Sequence, residues 1–302
     1  MKIAYIILAH KYPEQLIRLI HRLNTEKASF FVHIDQTTND EIYYQLVEKL
    51  SNFQNVYFLK RYKTYWGSFN IVKASLEGIK EIFNRNVDFD YVMLLSGQDY
   101  PTKSNSQIEV FLAEKRGKEF IEYFPLPFDG WENGRFAINV DRIESWFIKG
   151  WLVKHNSIAC PTDSSLKLRL FLSLCSFLIF LNVLPRKRKF PKGFKPFGGS
   201  QFWCFSSACA EYINKFVETN HTFVNFFKFS GIPDETFFQT IILNSPFKDK
   251  VINDDLKYVV WPGPAILEKS DLEKIITSSD LFARKFDMTI DAEVLNMIDK
   301  QI

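Results

Sequence analysis

The chain has 302 residues, of which 46% are hydrophobic and 24% are charged, and its formal net charge is +3. This length and composition predict a folded protein with a large core and exclude a disordered chain. The small net charge argues against a general nucleic-acid-binding protein, so no nucleic acid is expected as a partner.

Two features of the sequence predict a cytosolic protein. The apolar run at residues 3–9 follows Lys2, as in a signal peptide, but it has the minimum length for one and leads into His10-Lys11 where small residues would precede a cleavage site. We therefore interpret this run as a buried first strand. The cysteines form no C-x-x-C pair and no cluster with histidine, which is typical of reduced core thiols: Cys160, Cys175, Cys204 and Cys209.

Short apolar runs alternate with helical patterns along the first hundred residues. The apolar runs at 3–9, 29–35, 56–59 and 91–96 predict buried strands, and helices are predicted from Pro13, at 41–50 and at 71–83. This rhythm predicts an α/β fold with a mainly parallel sheet flanked by helices. Because the chain has no internal repeat and no flexible linker, we expect a single domain over residues 1–302.

Polar side chains follow two of the predicted strands, at the point where each strand ends. Asp35 closes the second strand, and Ser96-Gly97-Gln98-Asp99 closes the fourth. Ligands of parallel sheets bind beyond the carboxyl ends of the strands, so Asp35 and Asp99 are candidate ligand-binding residues. The alternative is that both acids cap backbone amides of the loops, and the sequence does not separate the two interpretations.

The middle of the chain, residues 120–162, loses periodicity and gathers tryptophans among charged residues. Such residues on irregular loops suit carbohydrate recognition, and they suit core packing under long loops equally well. Candidate acceptor-binding residues, which no motif supports, are Trp131, Glu132 and, further along the chain, Trp261.

Residues 170–184 are the most apolar stretch, and Pro185-Arg186-Lys187-Arg188-Lys189 follows them directly. The stretch is shorter than the roughly 20 apolar residues that span a bilayer. One interpretation is an interfacial helix, with segment 166–189 held against an anionic membrane by its basic end. The other is a helix buried in the core beside a solvated basic loop.

Two later stretches also have two interpretations. Gly198-Gly199 precedes an apolar run, where glycine allows close approach of the backbone to a ligand or to another strand. Pro233-Asp234-Glu235 begins a predicted helix over residues 233–243, with proline and acids in the positions that a helix start favours. Glu235 is then either a charge-compatible residue at a helix start or a general base.

Eight stretches, in one order over most of the chain, together resemble a known family. They are residues 4–11, Val32-His33-Ile34-Asp35, Trp66-Gly67-Ser68-Phe69, residues 95–101, Gly199-Ser200-Gln201-Phe202-Trp203, Pro233-Asp234-Glu235, Lys257-Tyr258-Val259-Val260-Trp261 and residues 282–287. The family is that of the core-2/I-branching β-1,6-N-acetylglucosaminyltransferases and peptide O-xylosyltransferases, glycosyltransferase family 14.

The resemblance implies a GT-A-like, Rossmann-type fold. Residues 1–115 would form the nucleotide-binding half, and residues 116–302 the acceptor and catalytic half. The implied reaction is an inverting, metal-independent transfer of N-acetylglucosamine or xylose from a UDP-sugar to a hydroxyl of a glycan acceptor. No cofactor is implied besides the UDP-sugar cosubstrate.

The resemblance also assigns roles to individual residues. Glu235 would be the catalytic base, and the expectation is that this glutamate needs position more than a shifted pKa. The donor-binding residues would be Asp35 near the uracil, Lys285 and Lys257 at the diphosphate, and also Trp66 and Asp99. The family often has arginine at the position of Lys257, and lysine offers a point charge without the bidentate fork of arginine.

Many GT-A enzymes hold a metal with an Asp-x-Asp motif that follows a strand. The only candidate pair here, Asp88 and Asp90, precedes the run at residues 91–95, so we expect no metal there. Two alternatives stay open: a metal-dependent GT-A transferase of another family, and a non-catalytic carbohydrate-binding protein associated with a membrane. The cysteine content resembles that of bacterial relatives that build surface polysaccharides, which predicts a cytoplasmic protein on the inner face of the cell membrane with a free or lipid-linked glycan acceptor.

Overall fold

A computed structural model describes residues 1–128, 141–148, 151–153, 165–181, 183–185, 187–261 and 263–302. The helices are α1 (Pro13–Leu23), α2 (Asp40–Lys49), α3 (Phe69–Asn84), α4 (Asn105–Glu114), α5 (Asp141–Glu144), α6 (Leu166–Phe180), α7 (Ser207–Thr219), α8 (His221–Phe227), α9 (Phe237–Leu243), α10 (Leu272–Thr277) and α11 (Glu293–Asp299). The strands are β1 (Ile3–Ala9), β2 (Ala28–Ile34), β3 (Val56–Phe58), β4 (Tyr91–Ser96), β5 (Asp99–Pro101), β6 (Glu119–Ile121), β7 (Phe124–Pro125), β8 (Trp146–Ile148), β9 (Trp151–Val153), β10 (Phe197–Gly198), β11 (Trp203–Ser206), β12 (Val251–Ile252), β13 (Lys257–Val259) and β14 (Phe282–Arg284).

The main sheet has seven strands in the order β12-β6-β11-β4-β1-β2-β3. The four strands from β4 to β3 are parallel, and β11 joins the edge of β4 in the antiparallel direction. The parallel part has the 3-2-1-4 order of a Rossmann-type sheet. The predicted α/β fold with a mainly parallel sheet is therefore confirmed.

The strand β1 lies at the centre because its residues are apolar on both faces. Ile3, Tyr5 and Ile7 pack into one core, whereas Ala4 and Ile6 pack into a second core on the opposite face. Apolar residues of α1, α4, α10 and α11 complete the first core, and those of α3, α7, α8 and α9 complete the second. Helices therefore cover both faces of the sheet, as the continuous apolar run predicts.

A second, three-stranded sheet of order β13-β14-β5 forms beyond the carboxyl end of β4. In its register, Arg284 of β14 lies beside Val259 of β13 and Asp99 of β5. The segment that follows β14 is held by the buried side chain of Gln15. Its side-chain amide donates to the carbonyls of Gly97 at 3.0 Å and Phe286 at 3.2 Å. This small sheet brings the C-terminal part of the chain to the edge where ligands of such folds bind.

The expected helix over residues 233–243 is wrong in its boundaries. Pro233–Glu235 form a 3₁₀ turn, and α9 starts only after Thr236, whose φ of −141° breaks the helical path. The chain enters this turn through Ile232, which is buried in the left-handed region at φ 45°. Glu235 is therefore held in a tight turn rather than along the side of a helix.

Other predictions from the sequence have these outcomes. Cys175, Cys204 and Cys209 are free and buried, as expected of reduced thiols, and Cys160 lies outside the described residues. The apolar stretch forms the 15-residue helix α6. None of the described helices combines the length and the hydropathy needed to cross a membrane.

The glycine pair was predicted to lie close to a ligand or to another strand, and Gly199 lies close to the segment that joins β6 to β7. A Cβ built on Gly199 would lie 1.9 Å from the carbonyl oxygen of Glu122, next to β7. The amide of Gly199 also donates to the carbonyl of Glu235 at 2.9 Å. The absence of a side chain at position 199 therefore fixes the turn of Glu235 against the sheet.

We predict that Gly199→Ala lowers the free energy of unfolding by about 3 kcal/mol, because the methyl group displaces the backbone of Glu122. The matched control is Gly117→Ala, where φ is 80° but no atom lies within 4 Å of the added Cβ. The control is expected to cost only about 1 kcal/mol, from backbone strain alone. Urea denaturation followed by circular dichroism measures both values, and equal losses would contradict the steric argument.

Candidate active site

The site is built around Asp99, which is fully buried just after β4. Its Oδ2 accepts from Lys257 Nζ at 2.7 Å and from the amide of Ser96 at 2.9 Å, and its Oδ1 accepts from Arg284 Nε at 3.1 Å. The Lys257 side chain is 2% exposed and that of Arg284 is 17% exposed. Burial lowers the pKa of Lys257, and the nearby carboxylate of Asp99 opposes that shift.

Both cations also contact one aromatic ring. The charged groups of Lys257 and Arg284 each lie 4.4 Å from the centre of the Phe202 ring. Since a cation is attracted to the face of an aromatic ring, Phe202 helps to hold both side chains in the interior. Lys257 was predicted as a diphosphate ligand, and in this structure its ammonium group is engaged with Asp99.

A cation cluster of Lys11, Arg284 and Lys285 lies beside this ion pair. Burial lowers the pKa of the half-buried Lys285, and the charges of Lys11 and Arg284 lower it further, with Asp287 opposing them. Asp99 supplies one negative charge against the two cations that it bonds, and Asp255 near Lys257 and Asp287 near Lys285 supply two more. Four cations, Lys11, Lys257, Arg284 and Lys285, thus lie at the carboxyl end of the sheet beside these three acids, and such a cluster favours an anionic ligand.

The 3₁₀ turn Pro233–Glu235 carries two neighbouring carboxylates in different surroundings. The Glu235 side chain is 32% exposed, and its Oε2 accepts from Arg142 Nη1 at 2.5 Å. Asp234 is buried, and its Oδ1 has no hydrogen-bond partner among the described residues. Burial and the charge of Glu235 raise the pKa of Asp234 to about 7.

Arg142 comes from α5 and sets the ionisation of Glu235. Burial raises the pKa of Glu235 above its ordinary value, whereas the charge and hydrogen bond of Arg142 lower it. The carbonyl of Arg142 also accepts from the amide of Gly231 at 2.7 Å, so both ends of the residue hold this turn. The expectation that Glu235 needs position more than a shifted pKa stays a prediction.

One short segment links the turn of Glu235 to the cations. The amide of Gly199 donates to the backbone carbonyl of Glu235, the carbonyl of Ser200 accepts from the Gln239 side chain at 2.5 Å, and Phe202 lies under the cations. Three residues span at most about 10 Å of extended chain. Residues 199–202 therefore connect the turn that carries the partly exposed carboxylate to the ring that contacts the cations.

Asp35 lies at the carboxyl end of β2 and is fully engaged with loop residues. Its Oδ1 accepts from the amide and hydroxyl of Thr37 at 2.6 Å each, and its Oδ2 accepts from the amide of Thr64 at 2.8 Å and from the Thr64 hydroxyl. Burial alone would raise the pKa of Asp35, but the bonds from Thr37 and Thr64 outweigh burial and lower it. Asp35 thus caps loop amides, and its contact with a nucleotide stays a prediction.

The predicted aromatic residues lie at different places. Trp66 is 62% exposed, and its loop reaches the residue before the 3₁₀ turn Pro233–Glu235, because the Gly67 carbonyl accepts from the amide of Ile232 at 3.2 Å. Trp261 is 69% exposed just after β13. Trp131 and Glu132 lie outside the described residues.

The Asp-x-Asp pair lies at the opposite end of β4 from Asp99, as the sequence predicts. Asp88 pairs with Lys2 at 2.5 Å, and Asp90 pairs with Arg116 at 3.0 Å. Among the described residues, no group of three or more histidine, cysteine or acidic side chains is arranged to hold a metal ion.

Arg188, predicted as part of a solvated or lipid-facing basic end, is buried instead. Its guanidinium donates to the carbonyls of Phe226 and, at 2.7 Å, Phe229, and its amide donates to the Glu144 carbonyl at 2.7 Å. The carbonyl of Phe226 also accepts from the amide of Phe229 at 3.2 Å, and that of Phe229 accepts from the amide of Phe147 at 2.9 Å, so the guanidinium is a further donor to each. Arg188 thus braces α8 against the end of α5.

Sequence reasoning assigned no role to two site residues, Arg142 and Arg284. Arg142 lies in the stretch without periodicity and is 93 positions from Glu235, so no local pattern points to the pair. Arg284 stands in the same closing motif as Lys285 and directly follows Phe282 and Ala283, which are both buried. This position in the motif was the one available signal.

The fold and this site define a class: an α/β protein with an anion-attracting sheet edge beside a partly exposed carboxylate. The family model described as Core-2/I-Branching enzyme matches residues 3–148 and 154–281. The chain therefore belongs to the Core-2/I-Branching enzyme family, and the resemblance drawn from the eight sequence stretches is confirmed.

Individual relatives agree with this family. The chain is 25% identical to xylosyltransferase 2 of Rattus norvegicus and 24% identical to that of Homo sapiens, with 99% of this chain and 33% of each relative covered. It is 22% identical to xylosyltransferase 1 of Rattus norvegicus, over 100% of this chain and 35% of the relative. The chain thus spans about a third of the length of these relatives. A solved 4-diphosphocytidyl-2C-methyl-D-erythritol synthase from Anaerococcus prevotii aligns over 72% of this chain and 75% of its own at 11% identity, with a TM-score of only 0.33.

We predict that Asp99→Asn lowers the free energy of unfolding by about 3 to 5 kcal/mol, because it leaves the buried ammonium of Lys257 without its counter-charge. The double variant Asp99→Asn with Lys257→Met is expected to recover much of this loss, since both charges are then gone. Urea denaturation at pH 7 measures the free energies.

The opposite end of the same strand supplies the matched control. Asp88 pairs with Lys2 where the two side chains are 78% and 53% exposed, so Asp88→Asn is expected to cost less than about 1 kcal/mol. Similar losses for the two single variants would show that the Asp99 pair gains nothing from its burial.

Proposed function

We propose that the chain is an inverting, metal-independent glycosyltransferase that moves a sugar from a UDP-sugar to a hydroxyl of a glycan acceptor. The observation that carries this proposal is the partly exposed carboxylate of Glu235, held by Arg142 and joined through residues 199–202 to the cation cluster. Such a pair of features suits a reaction in which a hydroxyl loses a proton while a diphosphate departs.

Glu235 is the proposed general base. It removes the proton of the acceptor hydroxyl as that oxygen attacks the anomeric carbon of the donor, a role worth roughly 10²–10⁴ in rate. A carboxyl with a raised pKa is a stronger base than an ordinary one while it stays ionised at neutral pH. The hydrogen bond from Arg142 supports both the ionised state and the orientation of Glu235.

The departing UDP is proposed to bind at the carboxyl end of the sheet. Lys285 and Arg284 would neutralise the charge that grows on the diphosphate, with the buried Asp99 holding Arg284 and Lys257 in place from the interior. Asp35, Trp66 and Asp99 complete the proposed donor site. Trp131, Glu132 and Trp261 stay the proposed acceptor-binding residues.

The sugar and the setting are proposed by analogy with the family. Xylose and N-acetylglucosamine are the donors to test, and the xylosyltransferase relatives make xylose the first of them. The proposed setting is bacterial surface-polysaccharide synthesis at the inner face of the cell membrane, with a free or lipid-linked glycan as acceptor. No metal or other cofactor is included, because Asp88 and Asp90 lie at the amino end of β4 and pair with cations there.

We predict that Glu235→Gln keeps UDP-sugar binding and lowers transfer at least a hundredfold, because glutamine has nearly the same shape but cannot accept the proton. Binding is measured as the rise in melting temperature that the UDP-sugar produces. Transfer is measured as incorporation of labelled sugar into glycan.

Three outcomes of this assay decide between the candidate functions. Unchanged turnover in Glu235→Gln would remove the base assignment. Loss of wild-type activity in chelator, restored by manganese, would favour a metal-dependent transferase. Binding of sugars with neither transfer nor hydrolysis of any UDP-sugar would favour a carbohydrate-binding protein.

We predict that Arg142→Met moves the acidic limb of the kcat/KM profile up by about one pH unit, because Arg142 lowers the pKa of Glu235. A base is active when deprotonated, so activity is lost as the pH falls through its pKa, and a higher pKa moves that loss to higher pH. Asp234 on the same turn and Glu122 near β7 are the acids that interact with Glu235, and both stay in place.

The variant Arg142→Lys is the control, since it keeps the charge and should leave the limb near its wild-type position. A fall in activity that is uniform across the pH range in Arg142→Met would show a structural role only.

A further inference from the structure

The helix α6 exposes a continuous apolar stripe. Leu166, Leu170, Leu174 and Phe177 recur at spacings of four, four and three residues, which places them on one side of a helix. Together with Phe180 and Leu181, they form the α6 apolar face. Their exposed fractions are 71, 62, 54, 54, 56 and 50%, in chain order.

The buried side of α6 shows that the apolar face points away from the protein. Leu172, Cys175 and Ile179 are buried against Val153 of β9, in a cluster that Trp146 and Ile148 of β8 complete. The helix is therefore seated on the protein by one side. The other side presents large apolar residues to solvent, where isolated leucines are ordinary but a stripe of six is a candidate interaction surface.

In the sequence around the face, every charged residue is basic. From residue 164 to residue 210 the chain contains no aspartate or glutamate, and it contains eight basic residues: Lys167, Arg169, Arg186, Lys187, Arg188, Lys189, Lys192 and Lys195. Lys167 and Arg169 are exposed within α6 itself, and Lys189 and Lys192 are exposed after it. Arg188 is buried and does not belong to this surface.

We propose that the α6 apolar face binds the surface of an anionic lipid membrane. Fifteen residues make a helix about 22 Å long, which lies in the plane of the interface with its apolar side among the acyl chains. The basic residues then meet the lipid phosphates. A second copy of the chain fits less well, because it would bring the exposed Lys167, Arg169, Lys189 and Lys192 of both copies together, and of the described basic residues after α6 it is Lys187 that pairs with an acid, Glu144.

The position of α6 links this surface to the site. It packs on β8 and β9, and β8 follows α5, whose Arg142 bonds the Glu235 carboxylate. A membrane bound at α6 would therefore lie on the side of the molecule from which α5 reaches the proposed base. This connection rests on the proposed function, and with it we assign the acceptor to the class of lipid-linked glycans.

The test is co-sedimentation of the full chain with vesicles of phosphatidylcholine alone and with vesicles that also contain phosphatidylglycerol. We expect binding to the anionic vesicles that weakens as salt is raised. The variant Leu170→Gln/Leu174→Gln/Phe177→Gln should lower the partition coefficient at least about tenfold. The variant Lys167→Gln/Arg169→Gln/Lys189→Gln should remove the preference for anionic vesicles.

Matched controls change the same residue types elsewhere on the surface. Ile42, Tyr44 and Val110 are exposed apolar residues of α2 and α4, and their replacement by glutamine should leave binding unchanged. Lys80, Lys115 and Lys215 are exposed lysines elsewhere on the surface, and their replacement by glutamine should leave the preference for anionic vesicles unchanged. Because every substituted side chain is exposed, we expect each variant to fold, and an unchanged melting temperature shows that it does.

Several outcomes would overturn the proposal. They are no binding to either vesicle, equal binding by the α6 variant and its control, or a concentration-dependent dimer in sedimentation velocity that the α6 variant abolishes while vesicles bind neither protein. None of these measurements uses sugar transfer, so a failed transfer assay leaves the membrane result standing, and the reverse also holds.

Discussion

The rest of the site depends on the ion pairs that the buried carboxylate of Asp99 forms with Lys257 and Arg284. Asp99 lies on β5 and accepts from Lys257 of β13, Arg284 of β14 and the Ser96 amide, so one side chain joins the end of β4 to the other two strands of the small sheet. Lys285 lies beside these cations, and Asp255 and Asp287 oppose part of their charge. Because unpaired charge away from water is costly, an anion that bound there would offset part of this cost. The contact that builds this part of the fold thus also holds the cations to which the proposed donor diphosphate would bind.

The parts that could be predicted from sequence are those that local periodicity determines. Every residue of β1 is apolar, and alternate residues enter the two cores, so a run of seven letters was enough to predict a strand covered on both faces. The acids Asp35 and Asp99 could be located because the ends of parallel strands gather at one edge. Both acids bond loop amides, which agrees with the capping alternative. For Asp99 that role coexists with its two cations.

The parts that could not be predicted depend on which elements face each other. Arg188 stands in a run of basic residues that looks solvated, yet it is buried where the carbonyls of Phe226 and Phe229 accept from its guanidinium. Lys257 and Asp99 are 158 positions apart, and Arg142 and Glu235 are 93 apart, so no pattern within a window reports these pairs. The break at Thr236 likewise occurs at a residue that is not a helix breaker, next to the carbonyl of Glu235 that bonds Gly199.

The two ends of the site are supported very differently, and this difference bears on mechanism. The cations rest on Asp99 and Phe202 inside the two large cores, so the place of the leaving group is set by the most buried contacts of the fold. The carboxylate of Glu235 is held by Arg142 on the four-residue helix α5, next to the smallest of the three hydrophobic clusters of described residues. In the proposed reaction the diphosphate would therefore meet the rigidly supported cations, and the acceptor would approach the more exposed carboxylate from outside.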